Sequence, residues 1–308
     1  MTAPHRIRLG TRASALARWQ AEWVAARLRD LGLEVVLVPI TTSGDRQQGQ
    51  PIGTLPVRGV FTKELQRALL DDRIDLAVHS LKDLPTDPAA GLCLAAVPER
   101  ASVADVLVSA KHAPLEALAP QCVIGTGSLR RRAQVLHVRP DLVMKDVRGN
   151  VETRIRKLDR GEFDALVLAE AGLERLGLAG RIAKVLTPEV LLPAVGQGAL
   201  ALETRDEGPA RQLVRRLNHA ESEAAVLAER SLLAGLQGGC LAPIAAWGRM
   251  VAGQLTLTGR VLSPDGRQLI ETTLEAGALQ ALELGQRVAD ALLDQGAAGL
   301  IRDSRQGS

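Results

Sequence analysis

Strand-like apolar runs alternate with helix-like stretches through the first two-thirds of the chain, and that rhythm points to an α/β fold. "IRLGT" (7–11) reads as a strand. The helix after it places Leu16, Trp19 and Trp23 on one face at i, i+3, i+7 and stops near Gly32. "EVVLVPITT" is a second strand and "TKELQRALLDD" (62–72) a second helix. "DLAVHS" (75–80) has the continuous apolar character of a buried strand and runs into the loop "LKDLP". "LCLAAVP" closes this first group near Pro98.

A second group follows: "ADVLVSA", then "CVIGTGS" into the helix "LRRRAQVLHV", then "DLVMKDVRG" into "NVETRIRKLDRG", then "DALVLAEAGLERLG". "LLPAVGQGALALE" (191–203) brings Pro193, Gly196 and Gly198 together and reads as a crossing between domains. Helical stretches around 210–217 and 220–236 come next. "QLTLTGRVLSPDGRQLIETTLEA" then alternates apolar and polar residues across an "SPDG" turn, an antiparallel hairpin. A helix over about 279–295 completes a small α+β domain.

Several function classes recede on composition. The longest apolar runs fall short of a membrane span, and "MTAPHRIRLG" lacks the plan of a secretory signal. Three separated cysteines make no disulfide framework and fit a reducing cytoplasm. No C-x-x-C or H-x-x-x-H pair supports a metal site. The net charge is only +3, and two Phe, three Trp and no Tyr leave little for stacking nucleic-acid bases. A small polyanionic ligand accounts better for arginines scattered at loop ends.

Four segments share one layout: an apolar strand, then Gly or Ser, then a cation. They are "GTRAS" with Arg12, "HSLKD" with Lys82, "GTGSLRR" with Arg130 and Arg131, and "VRGN" with Arg148. Ligands of open α/β sheets bind beyond the carboxyl ends of the strands, so the pattern predicts an anionic cleft. In "GTGSLRR" Ser128 is a good N-cap, which puts both arginines in a first helical turn. The helix dipole disfavours cations there by about 0.3–1 kcal/mol each, and a bound anion reverses that penalty. The competing reading is a run of solvated arginines. In "NVETRIRKLDRG" the core face is Val151, Ile155 and Leu158. Arg154 flanks it, whereas Arg156 and Arg160 point to water.

Lys82 and Asp83 follow their strand directly. Neighbours cannot share one face of a continuing strand, but a bend before Pro85 aims both at a common cleft. Asp83 among cations is a carboxylate held ionised, suited to stabilising a cationic intermediate or accepting a proton; a plain surface turn is the alternative. His79 reads as a satisfied core histidine, and Cys93 and Cys122 as small core residues. Cys240, in "LQGGCLAP", differs because two glycines leave its sulfur accessible. It suits a nucleophile or an attachment point, with chance placement as the alternative.

Taken together, "GTRASALARWQ", "GVFTKEL", "DLAVHSLKDLP", "GTGSLRRR", "VRGNVETRIRKL", "AGLERLGL", "LPAVGQGALALE" and "LQGGCLAPI" resemble the porphobilinogen deaminase (hydroxymethylbilane synthase) family, in order and over nearly the whole length. The resemblance implies a transferase of haem and tetrapyrrole biosynthesis. Such an enzyme joins four porphobilinogen molecules head to tail and releases ammonia each time. It also implies a dipyrromethane cofactor held by a thioether to Cys240. Loss of the aminomethyl nitrogen gives an electrophilic methylene-pyrrolenine, which the free α-carbon of the growing chain attacks.

By the same resemblance Lys82, Asp83, Ser128, Arg130, Arg131 and Arg154 hold the cofactor. Arg12, Ser14, Arg148, Arg154 and Arg175 hold the substrate's side chains, and Asp83 is the catalytic group. Arg58 and Phe61 belong to a lid. Gly127 stands where the family often has a second serine, and Pro56 with Arg58 replaces a glycine-rich lid with lysine. The implied architecture is two type II periplasmic-binding-protein-like α/β domains, 1–98 with 199–218 and 99–198, plus a small α+β domain, 219–308, carrying Cys240. The implied state is a cytoplasmic monomer without metal, membrane or nucleic-acid partner. Two other readings stay open on the residues alone. One is a non-catalytic binder of a small anion; the other is a nucleic-acid binder with steeply salt-dependent affinity.

Overall fold

The structure is a computed structural model, and it describes residues 6–41, 62–237 and 242–306. In chain order it begins with β1 (Arg6–Thr11), α1 (Ala15–Asp30), β2 (Glu34–Pro39), α2 (Lys63–Leu70), β3 (Leu76–Ser80) and β4 (Leu92–Ala96). There follow β5 (Asp105–Ser109), β6 (Val123–Gly125), α3 (Leu129–Val138), β7 (Val143–Lys145), α4 (Val151–Asp159), β8 (Ala165–Ala169), α5 (Glu170–Arg175) and β9 (Lys184–Leu186). Next come β10 (Leu200–Arg205), α6 (Pro209–Arg215) and α7 (Ala220–Gly235). The chain ends with β11 (Ile244–Val251), β12 (Gln254–Leu262), β13 (Leu269–Ala276), α8 (Ala281–Asp294) and α9 (Ala297–Gln306). These elements form two compact units, 1–101 with 199–223 and 102–198 with 224–308.

The first unit is built on a sheet of order β2-β1-β3-β10-β4. β1 pairs in parallel with β2 and β3, and β10 returns antiparallel between β3 and β4. Helices cover both faces, so the strands alternate between two apolar layers. Leu76 and Val78 of β3 pack with Leu9 and the α1 side, while Ala77 packs with Leu65, Ala68 and Ile74 on the α2 side.

The buried face of α1 is Gln20, Ala21, Val24, Ala25 and Leu28. Trp19 is exposed, and it stacks on Trp23 at 6.4 Å with the Arg27 guanidinium 3.2 Å above the Trp23 ring. The face marked in the sequence by Leu16, Trp19 and Trp23 is therefore a flank. Ala21 and Ala25, with small side chains, share the buried face with Val24 and Leu28.

One ion cluster fastens the strand start. Arg8 donates from Nε and Nη2 to the two carboxylate oxygens of Asp75 at 2.9 and 2.7 Å, and Arg205 adds a contact at 3.0 Å. Partial burial alone would raise the Asp75 carboxyl. The hydrogen bonds from Arg8 and Arg205 outweigh it and hold the group down at about 2. A depressed carboxyl stabilises the fold above its ordinary value near 4 and stops doing so as pH falls from about 4 to about 2. Asp75→Asn is expected to flatten the dependence of Tm on pH in that window, as followed by circular dichroism. An unchanged slope would remove Asp75 from the acid response.

The second unit holds a sheet of order β7-β6-β8-β5-β9. β6 runs parallel to β7 and β8, and β5 is antiparallel to β8 and β9. Leu107 and Val167 enter one apolar layer, Val106, Val108, Leu166 and Leu168 the other. Both α/β sheets end a central parallel strand on Gly-Thr for a packing reason. A Cβ on Gly10 would lie 2.4 Å from Ile74 Cδ1, and one on Gly125 would lie 2.6 Å from Leu166 Cδ2. Any side chain there would overpack the layer.

The same unit contains the antiparallel sheet β11-β12-β13. The "SPDG" turn does join β12 to β13, and β11 is a further strand beside the expected hairpin. This sheet packs against α3 through that turn. His137 Nδ1 meets Gly266 O at 2.8 Å, and a Cβ on Gly266 would lie 2.4 Å from Ala133 O. No helix among the described residues is long and apolar enough to cross a membrane.

Candidate functional site

Parallel strands point their carboxyl ends the same way, so residues that follow β1 and β3 share one end of the first sheet. Arg12 and Ser14 follow β1, and Ser14 caps α1 by accepting from the Ala17 N–H. After β3 the chain leaves the strand in a 3₁₀ turn, Leu81–Asp83, which is the expected bend. Arg12, Ser14, Gln20, Thr62, His79, Ser80 and Asp83 line a pocket of about 80 Å³. Lys82 and Asp83 are exposed, and only Asp83 of the two lines this pocket.

Interior polar contacts hold the pocket floor. Gln20 Nε2 donates to Ser80 Oγ at 2.9 Å. His79, buried as expected, places Nε2 2.9 Å from Glu203 Oε2, and Gln66 donates to the other oxygen at 2.9 Å. The Thr62 hydroxyl is buried and makes no hydrogen bond. Gln20 and Glu203 carried no signal as single residues, because partners far along the chain define them.

In the second unit the ends of β6, β7 and β8 again lie together. Ser128 caps α3 by accepting from the Arg131 N–H, so Arg130 and Arg131 do stand in the first turn. Both are buried rather than solvated, at 5% and 7% exposure. The carboxylate that faces them is the protein's own Asp105, at the start of β5. Its oxygens lie 2.8 Å from Arg130 Nη1 and 2.7 Å from Arg131 Nη2. Burial would push the Asp105 carboxyl up, but the two guanidinium charges prevail and hold it well below the carboxylate range. Burial likewise lowers the Arg130 guanidinium, with Asp105 opposing. A hint was present in the sequence. An acidic residue heading the apolar strand "DVLVS" has no surface to reach and needs a buried cation.

The crossing segment is pinned beside these groups. Leu192 O accepts from Arg130 and Gln134 at 2.7 and 3.0 Å. The buried Glu229 accepts from the Gly196 and Gly248 N–H groups at 2.7 and 2.8 Å. Arg148, after β7, is exposed. Arg154, half-buried on α4, donates from Nε to Gly149 O at 2.9 Å, while Arg156 and Arg160 are exposed. Arg175, on α5, donates to Gly198 O at 2.8 Å, and burial lowers its guanidinium. Gly127 is exposed, and a Cβ there would lie 3.1 Å from Val147 O. Cys93 and Cys122 are partly buried against apolar clusters. Cys240, Pro56, Arg58 and Phe61 lie outside the described residues. No group of three or more His, Cys, Asp or Glu suited to a metal occurs among the described residues.

Each unit thus collects cationic or hydroxyl side chains at one end of its sheet, a chemistry suited to carboxylates. Residues 7–213 match the family model "Porphobilinogen deaminase, dipyromethane cofactor binding domain", and residues 224–294 match "Porphobilinogen deaminase, C-terminal domain". The porphobilinogen deaminase of Pelobacter propionicus is 45% identical over 306 residues, covering 98% of each chain. That of Syntrophotalea carbinolica is 48% identical over 295 residues, covering 94% of this chain and 93% of its own. Among solved structures, the methionine-binding protein MetQ aligns with a TM-score of 0.46 at 15% identity, over 70% of this chain and 90% of its own.

Proposed function

The chain belongs to the porphobilinogen deaminase family, and from that premise we propose that Asp83 is its catalytic group and that the strand-end cations hold carboxylates of cofactor and substrate. The protein is a transferase of tetrapyrrole biosynthesis. It joins four porphobilinogen molecules into hydroxymethylbilane, releasing ammonia, on a dipyrromethane cofactor. The observation that carries the residue assignment is the placement of Asp83 on a pocket that Arg12 and Ser14 also line.

The residues present fit a dipyrromethane with its acetate and propionate arms. Arg130 and Arg131 bring two positive charges against the single negative charge of Asp105, and Arg130 Nε is buried with no hydrogen-bond partner. Lys82, Ser128, Arg130, Arg131 and Arg154 hold the cofactor in this reading, with Cys240 as its attachment point. When bound, the cofactor supplies a pyrrole carbon to which the first substrate is joined. Arg12, Ser14, Arg148, Arg154 and Arg175 orient the side chains of incoming porphobilinogen. Loss of ammonia builds positive charge on the substrate's pyrrole, and the Asp83 carboxylate offsets it. Arg58 and Phe61 act as a lid.

Arg148 is a sensitive probe of the substrate assignment. It is exposed, so its replacement disturbs little of the fold. A charge-assisted hydrogen bond is worth about 1.5–3 kcal/mol, so Arg148→Gln is expected to weaken kcat/KM for porphobilinogen roughly 10- to 100-fold. Steady-state kinetics showing a change under twofold would take Arg148 out of the substrate site.

Three domains, 1–98 with 199–218, 99–198 and 219–308, are our reading of the three sheets. The protein also acts, in this reading, as a cytoplasmic monomer needing neither metal nor nucleic acid. Incubation with porphobilinogen tests the function. Consumption with release of ammonia is expected, whereas a simple anion binder leaves the compound intact.

A further inference from the structure

Two guanidiniums and one carboxylate meet in the interior of the second unit, and their donors are used unequally. Arg131 donates from Nε and Nη2 to Asp105 Oδ1 at 3.0 and 2.7 Å, and from Nη1 to Val167 O at 3.2 Å. Each of its side-chain nitrogens therefore has an internal acceptor. Gln197 adds a further bond to the same carboxylate oxygen at 2.9 Å. Arg130 differs. Its Nη1 donates to Leu192 O at 2.7 Å, and its Nε is buried without a partner. Asp105 Oδ2 lies 2.8 Å from Arg130 Nη1, yet makes no aligned hydrogen bond.

Arg131 alone would neutralise Asp105. A second buried guanidinium leaves the cluster at 2 − 1 = +1. Stability does not call for that excess, because an apolar side chain of similar volume is commonly as good as a buried ion or better. Nor does it call for an orphaned N–H, which costs about 1–3 kcal/mol. Both features make sense if an external anion completes the cluster.

We propose that Asp105 is a positioning residue for the cofactor. It anchors the arginine pair in the sheet without neutralising it, so that one positive charge and the unused Arg130 Nε–H remain for a carboxylate arm of the dipyrromethane. Asp105 touches neither cofactor nor substrate in this role and acts through the two arginines. The proposal rests on the reading that Arg130 and Arg131 hold the cofactor, and its test separates the two.

The chain is produced in cells unable to make porphobilinogen, then given porphobilinogen. Intact mass follows the gain of two linked pyrroles, and circular dichroism with thermal melting reports the fold of each variant. Arg130→Gln and Asp105→Asn are each expected to slow this loading at least tenfold at a temperature where both are folded. Asp105→Asn/Arg131→Gln keeps the native excess of one positive charge and relieves the unpaired pair, so it covers the case in which Asp105→Asn does not fold. It too is expected to load at least tenfold slowly, since Arg130 has lost its anchor and the cofactor site has lost Arg131. Loading at the native rate by folded Asp105→Asn, with Arg130→Gln slow, overturns the positioning role alone; native-rate loading by the double variant overturns it together with the assignment of Arg131 to the cofactor. Native-rate loading by Arg130→Gln sinks the underlying cofactor assignment and this proposal with it.

Discussion

Asp83→Asn is expected to carry its dipyrromethane and to lose turnover on the order of 10²–10³-fold in kcat, the usual effect of removing one group that stabilises transition-state charge. Location and charge both single out this carboxylate. Asp83 closes the 3₁₀ turn after β3 and lines the pocket with Arg12 and Ser14. It is exposed, so no part of the core depends on it, and an amide of equal size keeps the turn. The amide still offers a hydrogen-bond acceptor to a pyrrole N–H but no negative charge to balance a cationic ring. The loss should therefore appear in kcat more than in KM. Activity within twofold of the native protein would place the catalytic charge elsewhere.

The second large effect concerns Cys240. Cys240→Ala is expected to give a folded protein whose intact mass equals that of its sequence and which forms no hydroxymethylbilane. A thioether needs the sulfur, and no neighbouring side chain in "LQGGCLAP" can replace it. Cys93 and Cys122 are poor substitutes, since both are packed against the apolar clusters of their own units. Native melting behaviour alongside absent turnover would assign the defect to attachment. Retained turnover in this variant would show that the primer is held by something other than Cys240.

Much of the fold was legible because strand and helix periods alternate cleanly in "DLAVHS", "DALVLAE" and "NVETRIRKL". The Ser128 cap was legible for the same local reason, as its hydroxyl has one obvious use at the head of α3. Two things were not. The core face of α1 was hidden because bulk suggested burial, whereas Ala21, Val24, Ala25 and Leu28 face the core, Trp23 packs only partly against it and Trp19 is exposed. β9, three residues long, and β11, interrupted by Gly248, lacked an alternating pattern.

The site divides similarly. Cations at strand ends declared themselves through sequence order. Asp105 showed only as an acid heading an apolar strand and not as the partner of two of them, because those arginines lie 25 and 26 residues away and meet it only across β8 and β6. Gln20 and Ser80 are hidden for the same reason, being brought together by the parallel pairing of β1 and β3.

The central claim is that Cys240 carries a primer made from the enzyme's own substrate. The direct measurement is the intact mass of active protein, followed by digestion to locate the added group. The account predicts an excess over the sequence mass equal to two linked pyrroles, confined to the peptide holding Cys240. An active preparation with Cys240 unmodified would contradict it.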